Sequence, residues 1–553
     1  MAALEAEVAA SPRDAAPPPP HIWLSELVER FASFLHPNDV ICTLRRVDKA
    51  TAEQFRGRPE FASVRLSQPA PPHAFSARWA APGATRDLTL ARRKQLLSLT
   101  AASGVVANLD VAIEAVGYTP DEYELRILPR AAAAAGHVDA VIRLLDLACS
   151  QGIWYVVEAV ASSALAAAAQ AGRTAVCETL ISCVGAQGIL KPGHVAAALS
   201  GGQPETAEWL LQQLPEGAIG PGDSLAPLGP AVCSQLLRAA AEGCDLAALS
   251  SLRRRCNDVP LPPGAAGTFV SSAAASPTAD WQAKVEWAES QLPPDGFPQQ
   301  KSLVWPVACP DADLRLAWLL DRGYLADGAT VNAALTSGVS LAALQLLLAR
   351  GLRPDPRAVE EAAHGGRLEA LKTLREHGCP LDARAVMRRA AVGGQLPVLV
   401  WAVEELGASV QDQWMGPTTS RFCDLEALQW LQQRGCRLDV AEVCLGAARR
   451  GDLPALAWAM EELRATPARV TCLMDAAAAA GSVELMAWLR ERGCFMYRCT
   501  FQRAAGSGCV AALEWLAEQG CAMPRDGGPY DVADNYGDLA ILRCLTALGC
   551  PRR

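Results

Sequence analysis

The chain of 553 residues is long enough for three to five ordinary domains or for one long repeat array. With 51% apolar and 20% charged residues it can bury a core along its length, which excludes disorder as its general state. A formal charge of −9 without a dense basic stretch argues against gripping a phosphate backbone, so no nucleic acid is expected among its partners. Aromatics are only 6% and Ala is abundant, a balance that suits closely packed helices rather than sheets.

In chain order, residues 1–20 (MAALEAEVAASPRDAAPPPP) carry two Glu before any basic residue and lack an apolar h-region. They are predicted to be a disordered Pro/Ala-rich N-terminus, not a targeting peptide. The longest apolar run, 341–348, falls far short of the roughly 20 residues a spanning helix needs. No membrane partner is expected, and the predicted location is intracellular, cytoplasmic with the nucleus left open.

Residues 21–56 form a separate module. Leu24, Leu27, Val28, Phe31, Phe34 and Leu35 make an amphipathic stripe at helical spacing. His36-Pro37 ends that helix, and Asn38 or Asp39 can cap a second one carrying Val40, Ile41, Leu44 and Val47. The segment resembles an F-box. Glu26-Leu27 matches the motif's E-(I/L) step, and the (F/Y)-L-x-x-x-D-(V/L) middle and L-R-x-V-(D/N/C)-(K/R) end are also present. It departs from the family where L-P-x before that Glu reads Trp23-Leu24-Ser25. The resemblance implies docking onto the Skp-type adaptor of a cullin–RING ubiquitin ligase through Leu24, Leu27, Val28, Phe31, Phe34, Leu35, Pro37, Val40, Leu44 and Val47. The alternative is a helical cap that shields the first repeat, as solenoids require, with the same stripe buried against residues 91–116.

Residues 57–129 are predicted to be a linker or degenerate helical segment, and repeats follow. Weaker copies span 130–149 (RAAAAAGHVDAVIRLLDLAC), 163–185, 195–214 and 237–256, giving an N-terminal array over 130–256. Residues 257–310 are a Pro-rich insertion holding one degenerate repeat, whose second helix is WQAKVEWAESQL. In the C-terminal array, 311–553, a leucine-spaced helix closes on Gly323, Gly351, Gly378, Gly407, Gly435, Gly493, Gly520 and Gly549, with Arg464 in the same slot. Successive markers lie 27 to 29 residues apart. A Gly after the last turn suits a left-handed helix cap. A shorter Ala-rich helix precedes each phrase, as in VMRRAAVGG and LMDAAAAAGS. The couplet A-A-x-x-G-x-(L/V)-(E/D)-x-(L/V)-x-x-L followed by G-(C/A) resembles ankyrin repeats, and His137 matches that family's G-H step. The T-P-L-H opening is missing and the period is short of 33, so the β-turn fingers between repeats are expected to be short or absent. The fold class is therefore all-α: an ankyrin-like helix-turn-helix repeat solenoid preceded by a small helical F-box-like module.

Three recurrent features are assigned to structure. Trp318, Trp401, Trp430, Trp458, Trp488 and Trp515 share one slot and are expected to fill gaps between repeats rather than stack bases. The 19 cysteines include no C-x-x-C pair, and Cys379, Cys436, Cys494, Cys521 and Cys550 follow the closing Gly. They are expected to be reduced and buried, with no metal site. Arg253, Arg254 and Arg255 are expected to be a solvated helix terminus. No phosphate loop, nucleophile elbow or metalloprotease motif occurs, so no catalytic residue, cofactor or enzymatic activity is expected. The expected function is protein–protein interaction, with an unknown target held by the solenoid.

Overall fold

The computed structural model describes residues 23–150, 154–215, 218–256, 265–291, 306–411, 416, 420–421, 423–466, 470 and 472–552. The N-terminal stretch 1–20 and much of the Pro-rich insertion, 257–264 and 292–305, lie outside the described residues. Among the described residues every regular element is a helix, and the one strand-like pairing is an isolated bridge between Gly220 and Ser224. The chain is an all-α helical-repeat solenoid.

One unit shows how the phrase folds. Asp382 accepts hydrogen bonds from the backbone N–H groups of Arg384 and Ala385, which caps the helix Ala383–Val392. Val386, Met387, Ala390 and Ala391 are its buried face. Gly394 turns left-handed (φ 67°), and the second helix Leu396–Glu404 runs back with Val398, Leu399, Trp401 and Ala402 buried. Gly407 (φ 75°) closes the unit. All eight Gly markers of the C-terminal array adopt positive φ, and Arg464 follows them at φ 53° although it carries a side chain. Among the described residues no strand connects one unit to the next; the loop from Leu368–Glu376 to Ala383–Val392 is six residues.

First helices of neighbouring units lie against one another, which small residues permit. A Cβ on Gly243 would sit 2.2 Å from the Leu199 carbonyl oxygen, and one on Gly393 would sit 2.1 Å from that of His364. Second helices of neighbouring units touch less. The stack therefore curves, with first helices on its concave side.

The N-terminal module consists of α1 (Ser25–Ala32), α2 (Pro37–Cys42), a 3₁₀ turn at Leu44–Arg46 and α3 (Lys49–Gln54). Beyond it α4 (Pro72–Trp79) places Phe75 against the solenoid core, and α5 (Leu90–Ser103) with α6 (Val106–Val116) forms the solenoid's first full hairpin. Residues 57–129 thus hold complete helices.

The superhelix then meets itself. The backbone N–H of Ala540 donates to Gly117 O (2.8 Å), that of Thr119 to Gly537 O (2.9 Å), and that of Ala511 to Arg86 O (3.0 Å). Arg93, 1% exposed, donates to Val116 O (2.6 Å), Gly508 O (2.7 Å) and Asp538 Oδ2 (2.5 Å). Asp538 is 2% exposed and also accepts from Ile541 N–H, capping the last helix, Leu539–Ala547. A strictly linear array couples each unit to its neighbours alone. Here the first hairpin and the last two units share a buried seam.

Candidate protein-docking surface

The N-terminal module is built around six buried side chains, Val28, Ala32, Val40, Leu44, Phe55 and Phe61, which form a core separate from that of the solenoid. Phe55 and Phe61 meet edge to face at 5.2 Å, a favoured aromatic geometry. Polar contacts close the unit. Trp23 Nε1 donates to Thr51 Oγ1 (2.7 Å), and Arg58 donates through both terminal nitrogens to Glu29 (2.6 and 2.9 Å). The Arg58 guanidinium holds the Glu29 carboxyl below its ordinary range, opposed by some burial. Burial raises the Cys42 thiol.

The local sequence reading needs two corrections. The cap of α2 is His36, whose Nδ1 accepts from Asn38 N–H (3.2 Å). Asn38 is instead fully buried: its amide donates to Arg65 O, Gln68 O and Pro69 O, and its Oδ1 accepts from Arg65 N–H. It therefore ties the module to the segment leading to the solenoid. The second helix also stops at Cys42 and does not run on through Val47, because Thr43 leaves helical geometry (φ −123°) and Leu44 folds inward on a 3₁₀ turn.

The ten named module residues divide into three groups. Val28, Val40 and Leu44 lie inside the module's own core, where no partner reaches them. Leu27 and Pro37 are half-buried. Leu24, Phe31, Phe34, Leu35 and Val47 face solvent, Phe34 being 79% exposed. Large apolar side chains gathered in one small unit and left in water are the usual mark of an interaction surface. They do not pack on residues 91–116. That hairpin is covered by α4 through Phe75 and by the C-terminal units across the seam. The described residues link module to solenoid chiefly through the segment 65–70, where Ala70 O accepts from Asn108 Nδ2 (2.8 Å).

The recurrent residues of the solenoid sit as follows. Trp401 is buried, and Trp318, Trp430, Trp458, Trp488 and Trp515 are half-buried against the core on second helices, away from the concave side. Guanidinium groups of Arg322, Arg434 and Arg492 cover three of them, the last at 3.7 Å from the Trp488 ring centre. All 19 cysteines are unpaired, and Cys379, Cys436, Cys494, Cys521 and Cys550 are buried. The arginine run departs from expectation. Arg254 alone is exposed; Arg253 falls on the buried face of Leu246–Arg255 with Leu249 and Leu252, and Arg255 pairs with Glu208 (2.5 Å). Three consecutive helical residues span most of a turn, so one of them must face inward. Among the described residues no three His, Cys, Asp or Glu side chains are placed to hold a metal, and no helix is long and apolar enough to cross a membrane.

No protein-family model matches the chain, and neither does any curated protein. Among solved structures it is similar to the pentatricopeptide repeat protein PPR10 from maize, at 12% identity and a TM-score of 0.26, over 95% of this chain and 81% of that one. It is also similar to PPR10 in complex with an 18-nt psaJ RNA element, at 13% identity and a TM-score of 0.23, over 94% and 90% of the two chains. Superposition this loose transfers no binding chemistry between the chains. It does correct the expectation that nucleic acid is excluded, since the solved structures this chain is similar to include an RNA complex. The physical reason is that a net charge of −9 is a sum over the whole chain and does not describe any one face.

Proposed function

We propose that the chain is a non-enzymatic interaction adaptor: an ankyrin-like solenoid that holds a target, carrying an F-box-like module that docks onto the Skp-type adaptor of a cullin–RING ubiquitin ligase. The supporting observation is that the module keeps its own core while Leu24, Phe31, Phe34, Leu35 and Val47 face solvent. A cap would bury those side chains on the first repeat. Under this proposal Leu24, Leu27, Phe31, Phe34, Leu35, Pro37 and Val47 make the docking surface, and Val28, Val40 and Leu44 shape it from beneath. Nineteen unpaired thiols suit a reducing intracellular compartment.

The test is co-purification of the full chain with a Skp-type adaptor. Phe34→Asp and Leu35→Asp change exposed positions and should abolish capture while leaving the helical spectrum intact. Failure of the wild-type chain to bind any Skp-type adaptor would leave the solenoid as a scaffold without a ligase link.

A further inference from the structure

The concave side of the C-terminal array carries a trough with a distinct charge. The first helix Leu473–Ala479 is short and Ala-rich, and it presents Ala476 and Ala479 to the trough. Arg449, from Val440–Arg450, and Arg503, from Arg498–Ser507, stand on either side of it. The depression between them has a volume of about 410 Å³, with Leu445 as its apolar wall and Asp475 at its floor. A second depression of about 430 Å³ shares Ala479 and Arg503 and continues over Gln502 and Val532 to Tyr536, which is 55% exposed. The two make one trough across four units.

Some arginines of the solenoid pair with carboxylates of adjacent units: Arg389 with Glu360, Arg375 with Glu405, Arg434 with Glu404 and Arg322 with Glu289. Arg449 and Arg503 are exposed and have no ion-pair or hydrogen-bond partner among the described residues. Asp475 does not pair with them: its oxygens accept from the Thr500 hydroxyl and the Cys499 thiol (3.1 Å). Two free guanidiniums over one committed carboxylate leave a site that favours an anionic side chain, and guanidinium matches carboxylate geometry in a bidentate way.

We infer that this trough binds an extended segment of a partner protein, with an acidic side chain between Arg449 and Arg503 and an apolar side chain over Val532 and Tyr536. This rests on the adaptor reading and names the chemistry of the target it would select. A peptide fits better than single-stranded RNA. Bases need stacking platforms, and the tryptophan ladder lies on second helices, so Tyr536 is the one aromatic in the trough.

The test uses the full chain and fluorescence anisotropy with a labelled decapeptide of four Glu followed by Leu and Phe residues. Its controls are the same peptide with Lys for Glu and an 18-nt single-stranded oligouridine. The acidic peptide should bind in a salt-sensitive way, and Arg449→Glu with Arg503→Glu should weaken it at least tenfold with no change in the helical spectrum. The Lys peptide should not bind. An acidic peptide that fails to bind, or binds equally to the charge-reversed chain, overturns the inference, as does Arg503-dependent binding of the oligouridine alone. Phe34→Asp should leave peptide affinity unchanged. For the wild-type chain, peptide binding without adaptor capture faults the ligase reading, while adaptor capture without peptide binding faults this one.

Discussion

Replacing Arg93 with Met should open the seam between the two ends of the solenoid. Arg93 and Asp538 are both at least 98% buried, and the guanidinium spans the seam with bonds to Gly508 O and Asp538 Oδ2. Removing it leaves the Asp538 carboxylate buried with the Ile541 N–H as its remaining named donor, and strands the Val116 and Gly508 carbonyls. Breaking a buried pair from one side typically costs about 3–5 kcal/mol. At about 1.4 kcal/mol per factor of ten, that raises the local opening constant by about two to four orders of magnitude. Hydrogen–deuterium exchange should show faster exchange in two stretches distant in sequence, 86–119 and 508–541, with units 338–433 unaffected. Loss of protection confined to 86–119, or spread evenly along the chain, would refute the seam.

Three further outcomes follow from the geometry. Arg464→Gly should raise stability by about 1 kcal/mol in urea melts, because Arg464 holds a left-handed conformation that its eight counterparts fill with Gly. Leu485→Ala, at a fully buried position, should cost about 2–5 kcal/mol, while Trp488→Ala should cost less because that ring is half-exposed beneath Arg492; denaturant midpoints order the two. Stability should also fall steeply in alkali. Burial raises the Cys494 and Cys521 thiols from 9.0 to about 11 and Cys423 to about 12, so the folded chain holds protons that the unfolded chain releases. That contribution is whole below pH 9 and is lost as the pH rises through the folded values, and Cys494→Ala with Cys521→Ala should flatten the slope of urea midpoint against pH.

The repeat fold was legible because its signals are local. Leucines three and four apart, an Ala-rich partner helix and a Gly at each close carry the same instruction every 27 to 29 residues, and Arg464 kept the slot's backbone conformation without its usual residue. The seam was not legible, since it joins residues 445 apart. Its one trace is Arg93 in the phase of Leu90, Leu96 and Leu97, a charge on the buried face of a helix that demands a distant partner. Within the module, helical spacing located the apolar stripe but could not divide it. Val28 and Phe31 follow the same period, yet one is in the core and the other faces water. The trough escaped notice for a related reason: it is created by what Ala476 and Ala479 lack, and by Arg449 and Arg503 approaching from different units.

The most direct test of the adaptor reading is hydrogen–deuterium exchange on the full chain with and without a Skp-type adaptor. The account predicts new protection confined to α1 and α2, around Leu24–Val47, with the solenoid unchanged. Protection absent from that segment, or appearing on the concave face of the solenoid instead, would contradict it.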